Sequence, residues 1–249
     1  MPNDQRLALV TGGMGGLGET ICKRLADGGF SVIALHSIHN PRVQQWMAER
    51  EREGYRIGAQ EVDVGDFASC AAAADAVRQR FGPIAMLVNN AGITRDASFR
   101  KMTPDDWRAV MRTNLDSMFN MTKQVIEDMV ALKWGRIVNI SSVNAHRGAF
   151  GQANYAASKA GIHGFTKALA VEFAGKGITV NTVSPGYLRT AMVEKVPQDI
   201  VESRILPQIP VGRLGEPDEV AQLVAFLASP AGAFVTGADL AINGGQHMD

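Results

Sequence analysis

An α/β fold is predicted: one doubly wound parallel sheet of about seven strands with helices on both faces. Three features carry the prediction. Short apolar runs rich in Val, Ile and Leu alternate with longer helix-patterned stretches, as a parallel sheet with crossover helices requires. Most of those runs are not strictly alternating, which is how strands buried on both faces read. Five of the seven residues from Gly12 to Gly18 are glycine, directly after the first run and at the start of the first helical stretch.

In chain order, Leu7–Thr11 reads as the first strand and Gly16–Gly28 as the helix after it. Ser31–Leu35 and Pro41–Glu53 form the second pair, and Arg56–Val62 with Asp66–Phe81 the third. Ile84–Asn89 leads to a long helical stretch, Pro104–Lys133. Its start, Thr103-Pro104-Asp105-Asp106, supplies an N-cap, a proline at the first helical position and two first-turn acids. Arg136–Ser141 and Asn154–Lys176 follow, with Gly135 and Gly177 where helix C-caps are expected. Thr179–Ser184, Pro217–Ala228 and Ala238–Asn243 complete the series. Right-handed crossovers wind such a sheet in both directions and put ligands beyond the carboxyl ends of its strands. Residues 1–249 read as a single domain with one irregular excursion at about 186–217. That excursion holds Pro197, Pro207 and Pro210 and a short helix near Gln198–Leu206, and it suits a lid or binding loop.

Composition excludes several classes. With 25 basic and 25 acidic residues there is no basic surplus, so no nucleic-acid partner is expected. The apolar segment Leu7–Val10 is too short for a signal peptide or a membrane span, so a cytoplasmic protein without membrane contact is expected. Cys22 and Cys70 do not make a disulfide framework and read as small, partly buried thiols. His36, His39, His146, His163 and His247 show no metal-ligand spacing, and no metal is expected. Trp46, Trp107 and Trp134 read as packing residues, and the 11 methionines mostly as core fillers, with Met192 placed to face a substrate.

The glycine turn can hold a pyrophosphate. Glycines permit a tight turn and a close backbone approach, and the helix N-terminus offers unpaired N–H groups and a favourable dipole. In its strand–turn–helix setting it makes the fold Rossmann-like. The second strand runs into His36-Ser37-Ile38-His39-Asn40-Pro41-Arg42, which contains no acid to bind a ribose 2′-hydroxyl. Ser37 could hydrogen-bond a 2′-phosphate and Arg42 could supply charge, so NADPH/NADP is the expected cofactor. Asp63-Val64, ending the third strand, either binds an adenine amino group or makes a turn. Asn89-Asn90-Ala91-Gly92 either lets a cofactor approach or ties the loop backbone together.

Tyr155 and Lys159 lie four apart at the start of a helix and share a face. An ammonium beside a phenol lowers the phenol pKa from its reference near ~10 and makes it a competent general acid near neutrality. Ser142, at the end of the fifth strand, could hydrogen-bond a substrate carbonyl.

Taken together, Thr11-Gly12-x-x-x-Gly16-x-Gly18, Asn89-Asn90-Ala91-Gly92, Asn114, Ser142, Tyr155-x-x-x-Lys159 and Pro185-Gly186 resemble the short-chain dehydrogenase/reductase family over essentially the whole chain. The resemblance implies a catalytic tetrad of Asn114, Ser142, Tyr155 and Lys159. Tyr155 is then the acid in reduction, Lys159 lowers its pKa and holds the nicotinamide ribose, Ser142 polarises the ketone, and Asn114 holds a water that resupplies protons. The dinucleotide is expected against Gly12, Met14, Gly15, Gly16, Leu17, Gly18, Ser37, Arg42, Asp63, Val64, Asn90, Ala91, Gly92, Tyr155, Lys159, Pro185 and Gly186.

Further stretches, among them Asn90-Ala91-Gly92-Ile93-Thr94-Arg95-Asp96, Phe99-Arg100-Lys101-Met102, Gly151-Gln152-x-Asn154-Tyr155 and Asn243-Gly244-Gly245-x-His247-Met248, are similar to the acetoacetyl-CoA reductases of polyhydroxyalkanoate synthesis. By that likeness Asp96, Lys101, Ser142, Phe150, Gln152, Tyr155, Gly186 and Tyr187 line an acyl-CoA site in a homotetramer whose long helices pack between subunits. Ala149 departs from it, standing where those reductases commonly carry glutamine, and adds space. Reduction of a β-ketoacyl thioester is the activity implied. The alternatives are a 3-oxoacyl-acyl-carrier-protein reductase and, of a different class, a dinucleotide-binding regulator without turnover.

Overall fold

The computed structural model describes residues 6–190, 193 and 196–248. Seven strands form one parallel sheet in the order β3-β2-β1-β4-β5-β6-β7. They are β1 (Leu7–Thr11), β2 (Ser31–His36), β3 (Gly58–Glu61), β4 (Ile84–Asn89), β5 (Gly135–Ile140), β6 (Ile178–Pro185) and β7 (Asp239–Ile242). Every residue of β1, β2, β4, β5 and β6 is buried.

The period of two explains why the strands carry no polar face. In β1, Leu7 and Leu9 join Ile33, Leu35, Leu87, Ile137 and Val180 in a core on one side. Ala8 and Val10 join Val32, Ala34, Met86, Val88 and Val138 on the other. On the first side lie α3 (Phe67–Phe81), α5 (Ser117–Leu132) and α7 (Ala153–Phe173); on the second, α1 (Gly16–Asp27), α2 (Val43–Arg52) and α9 (Pro217–Ala228). The short helices α4 (Pro104–Met111), α6 (Asn144–Arg147) and α8 (Gln198–Ile200) sit among the loops. The order reverses between β1 and β4, so their following segments diverge and leave a crevice above the strand ends.

Local chemistry sets the helix limits. Asp66 caps α3 by accepting from Ser69 N at 2.6 Å. Thr103 and Asp106 form the expected capping box ahead of Pro104. A second box, Glu216 with Glu219, opens α9. Bidentate pairing of Arg24 with Asp218, at 2.5 and 2.6 Å, ties α1 to α9.

Three expectations are corrected. The stretch 104–133 is not one helix: a π-helical turn, Arg112–Asp116, separates α4 from α5. Gly135 is not a C-cap but the first residue of β5, while Lys133 closes α5 in the left-handed region with φ 51°. Trp107 is exposed rather than packed. Cys22 and Cys70 are buried, and unpaired as read. The excursion pairs Leu188 with Gly215 at its two ends and closes over a small core of Ile205, Ile209 and Leu214. Met192 lies outside the described residues. Among the described residues no helix is long and apolar enough to cross a membrane.

Candidate active site

The crevice above β1, β2 and β4 is a cleft of about 750 Å³. Its wall includes Gly12, Met14, Gly15, Gly16, Leu17, Gly18, Ser37, Arg42, Asp63, Val64, Asn90, Ala91 and Gly92. These are all the expected cofactor residues from the first four strands and their loops. Thr190, Thr113, Ile93 and Asn40 line it as well. No motif marks Thr190 or Thr113, while Asn40 and Ile93 sit next to motif residues.

The glycines are there for space. Gly12 has φ +63°, and a Cβ on it would stand 3.2 Å from both Ala91 Cα and Asn90 Nδ2. A Cβ on Gly18 would collide with Gly12 O and stand 2.8 Å from Asn90 Nδ2. The N-cap of α1 is Gly15, which offers no side-chain acceptor, so the first-turn N–H groups face the cleft uncapped. The Thr11 hydroxyl fixes the floor, accepting from Asn90 N at 2.8 Å and Ala91 N at 2.9 Å. Asn90 Nδ2 returns a bond to Thr11 O at 2.9 Å. Asn89 Nδ2 donates to Asn139 Oδ1 at 2.8 Å. Both asparagines therefore tie backbone and strands together, and Asn90 lines the cleft as well.

Asp63 likewise acts in a turn: its carboxylate accepts from Gly65 N at 2.9 Å and from Arg112 at 2.7 Å. The loop after β2 has no acid of its own, but β3 brings one to it. Glu61 Oε2 accepts from His39 N at 3.1 Å, holding His39 at φ 57°.

The catalytic candidates converge beside this cleft. A Cβ on Gly92 would lie 3.4 Å from Asn114 Oδ1 and 3.6 Å from Lys159 Nζ. Asn114 sits in the π-helical turn, fully buried. Its Oδ1 accepts from Ile93 N at 2.8 Å, and its Nδ2 donates to Ile93 O at 3.0 Å and to Ser158 Oγ at 3.3 Å. Ser142 stands close enough to the Tyr155 phenol to favour its ionised form. Lys159 is 3% exposed, donates from Nζ to Ile140 O at 2.7 Å, and lies 5.7 Å from the Tyr155 ring centre.

The electrostatics differ from the expectation. Burial raises the Tyr155 pKa, the Ser142 hydrogen bond opposes this, and Asp96 adds to the rise. The Lys159 ammonium is turned to the end of β5, where it donates to Ile140 O. Burial pushes Lys159 itself down to about 8. At neutral pH the pair is thus a protonated phenol beside a mostly charged amine.

Around the opening a polar chain runs from Asp96 to Ser142. Gln152 Nε2 donates to Asp96 Oδ2 at 2.9 Å, and Asn144 Nδ2 donates to Gln152 Oε1 at 2.9 Å. Asn144 N in turn donates to Ser142 Oγ at 3.2 Å. Asn144 stands on α6, a helix too short to show in the sequence pattern. Phe150 is 95% exposed, Lys101 is exposed on the loop before α4, and the Arg147 guanidinium lies 5.9 Å above the Tyr187 ring. Pro185 and Gly186 are not among the residues lining the cleft. Gly186 packs instead on the C-terminal segment, where a Cβ would stand 2.9 Å from Asn243 Cα.

One gathering was illegible in the sequence. His146, His163 and His247, unrelated by spacing, come together with Asp239 on the far side of Ser141.

Residues 6–201 match the model of the short chain dehydrogenase family. The chain is 54% identical to an acetoacetyl-CoA reductase of Cupriavidus necator, over 98% of this chain and 99% of that one. It is 50% identical, over the same shares, to an acetoacetyl-CoA reductase of Shinella zoogloeoides. A 3-oxoacyl-[acyl-carrier-protein] reductase of Vibrio cholerae is 42% identical over 98% of each chain.

Proposed function

The chain belongs to the short-chain dehydrogenase family, and from that premise we propose that it reduces acetoacetyl-CoA to the 3-hydroxyacyl thioester with NADPH. The coarser statement, an oxidoreductase working with NAD(P)(H) on a ketone/alcohol pair, comes with the family. The finer one is supported by the 54% identity to an acetoacetyl-CoA reductase over 98% of the chain, and its chemistry by Asn114 and Lys159 beside Gly92, with Tyr155 next to Lys159 and Ser142 next to Tyr155.

The cleft suits a dinucleotide. Its volume is in the range of cofactor sites, and its narrowest approaches are glycines that a Cβ would fill. Bound there, the nicotinamide supplies hydride to the β-carbon. The rest falls to the chain. The Tyr155 phenol, kept protonated by burial, gives its proton to the ketone oxygen as negative charge develops on it. The Ser142 hydroxyl donates to the same oxygen. The Lys159 ammonium, largely charged at pH 7 and held on Ile140 O, would have to turn toward the phenol to stabilise the phenolate left behind. Asn114 holds the Ile93 backbone and with it the loop under Gly92. The preference for NADPH rests on Ser37 and Arg42 at the cleft wall. Glu61 is occupied by the backbone of His39.

The proposal extends to a cytoplasmic homotetramer. Phe119 on α5 and Val171 on α7 are exposed apolar side chains on the helices that would meet, and the solution mass tests it.

The deciding experiment is turnover of acetoacetyl-CoA with NADPH, repeated with acetoacetyl-acyl-carrier protein and with NADH. The expected result is a kcat/KM at least about tenfold higher for the CoA thioester and for NADPH, a difference of ~1.4 kcal/mol in transition-state binding. A higher value for the carrier protein would instead support the fatty-acid enzyme, and no turnover with either would overturn the reading.

A further inference from the structure

His146, His163 and Asp239 take no part in the chemistry above. They come from α6, α7 and the first position of β7. His146 Nε2 lies 2.6 Å from Asp239 Oδ2, and His163 Nε2 lies 3.5 Å from the same oxygen. The three donor atoms all fall within 4.8 Å of one another. The side chains are 19%, 15% and 15% exposed, enough for an ion to enter from solvent.

We propose that these three residues form a binding site for one divalent cation of the zinc class. Bonds of about 2.0–2.1 Å in tetrahedral geometry place neighbouring ligand atoms about 3.3 Å apart. The His163–Asp239 separation is already close to that, and the His146–Asp239 contact needs to open by about 0.7 Å. Two imidazole nitrogens and one carboxylate oxygen suit Zn²⁺, Ni²⁺ or Cu²⁺, whereas Mg²⁺ and Ca²⁺ prefer all-oxygen sets.

The supports of a metal site are present too. Ser184, fully buried at the end of β6, donates from Oγ to Asp239 Oδ1 at 2.6 Å and leaves Oδ2 for the ion. Ring packing holds His146, whose centroid is 4.7 Å from that of His163 and 4.9 Å from that of His247. His163 Nε2 lies 3.0 Å from Ser141 Oγ, a hydrogen bond that the ion would replace. On binding, each imidazole presents its Nε2 lone pair and keeps its proton on Nδ1. Three protein ligands leave a fourth position for water. The ion would fasten β7 to α6 and α7, the helices that carry Asn144 and Tyr155.

The test uses the full chain without an affinity tag, stripped with a chelator and titrated with ZnCl₂ by calorimetry and metal analysis. One Zn²⁺ per chain is expected, with a raised Tm, and no Tm shift with Mg²⁺. His146→Gln, His163→Gln and Asp239→Asn should each weaken binding at least about tenfold, and Ser184→Ala should do so through Asp239. Each variant's Tm is first measured without metal. Should a variant not fold, a zinc anomalous-scattering peak in wild-type crystals decides, between the three side chains or elsewhere. No wild-type binding below about 0.1 mM, undiminished binding in a folded His146→Gln protein, or a peak elsewhere would overturn the proposal.

Discussion

Replacing Lys159 with methionine should change how stability depends on pH. The side chain is 3% exposed and, among the described residues, has no carboxylate partner; its ammonium donates to Ile140 O at 2.7 Å. Burial lowers its pKa from 10.5 to about 8. A base whose folded pKa is lowered costs stability wherever it must stay charged in the folded state. Here the cost is full below about pH 8 and is relieved as pH rises from 8 toward 10.5. At about 1.4 kcal/mol per pH unit the whole effect is about 3 kcal/mol, of which about 2 kcal/mol is recovered between pH 7 and pH 9.5. Methionine has similar reach and no charge. It leaves the Ile140 carbonyl without its donor, a loss of about 1–3 kcal/mol that does not vary with pH. The slope therefore separates the two effects. Urea unfolding of wild type and Lys159→Met at pH 7, 8, 9 and 9.5, at one protein concentration, gives the difference directly. Wild type should gain about 2 kcal/mol on the variant over that range. A difference flat in pH, or one that falls, would refute the argument that this lysine is held charged in a dry site.

Tyr155→Phe keeps the ring and should bind NADPH normally by fluorescence titration, while turnover falls roughly 10²–10⁴-fold; near-normal turnover would remove Tyr155 from the mechanism. Gly18→Ala places a Cβ against Gly12 O and 2.8 Å from Asn90 Nδ2, so the turn must shift. Its Kd for NADPH should rise at least about 100-fold, given ~1–3 kcal/mol of overpacking and a displaced cradle. Arg42→Ala should lower kcat/KM for NADPH about tenfold and leave NADH nearly unchanged, since only one cofactor carries the 2′-phosphate; equal losses would mean that Arg42 meets no phosphate.

Strands were the most legible part of the chain, because burial on both faces demands an uninterrupted apolar run. Leu7–Thr11 and Ile84–Asn89 have the limits read for them. β3 was harder: Gly58–Glu61 lies at a sheet edge and is only half buried, so its apolar signal is weak. The cleft wall was legible through glycine, since a missing Cβ is written in the sequence. What needs three dimensions was not legible. Nothing local in Arg112–Asp116 marks a break, which belongs with the seating of Asn114 on Ile93. The rise in the Tyr155 pKa comes from burial, which a spacing of four residues to Lys159 does not show. The histidines around Asp239 come from separate elements and share no pattern. Gly186, matched by motif, packs on the C-terminal segment instead.

The π-helical turn also governs which kinds of mutation the segment can accept. Relative to a continuous α-helix it is a one-residue insertion. Removing one residue would close the wide turn into plain α-helix, so α4 could stay on α7 and α5 on β4 and α3. What would be lost is the bulge that carries Asn114. Substitutions on the exposed side of Pro104–Met111 leave it untouched. Over this stretch, therefore, a sequence of the same fold one residue shorter should still bury Val110, Met121, Val125 and Met129, and should be missing Asn114's anchoring of Ile93 even where an asparagine remains.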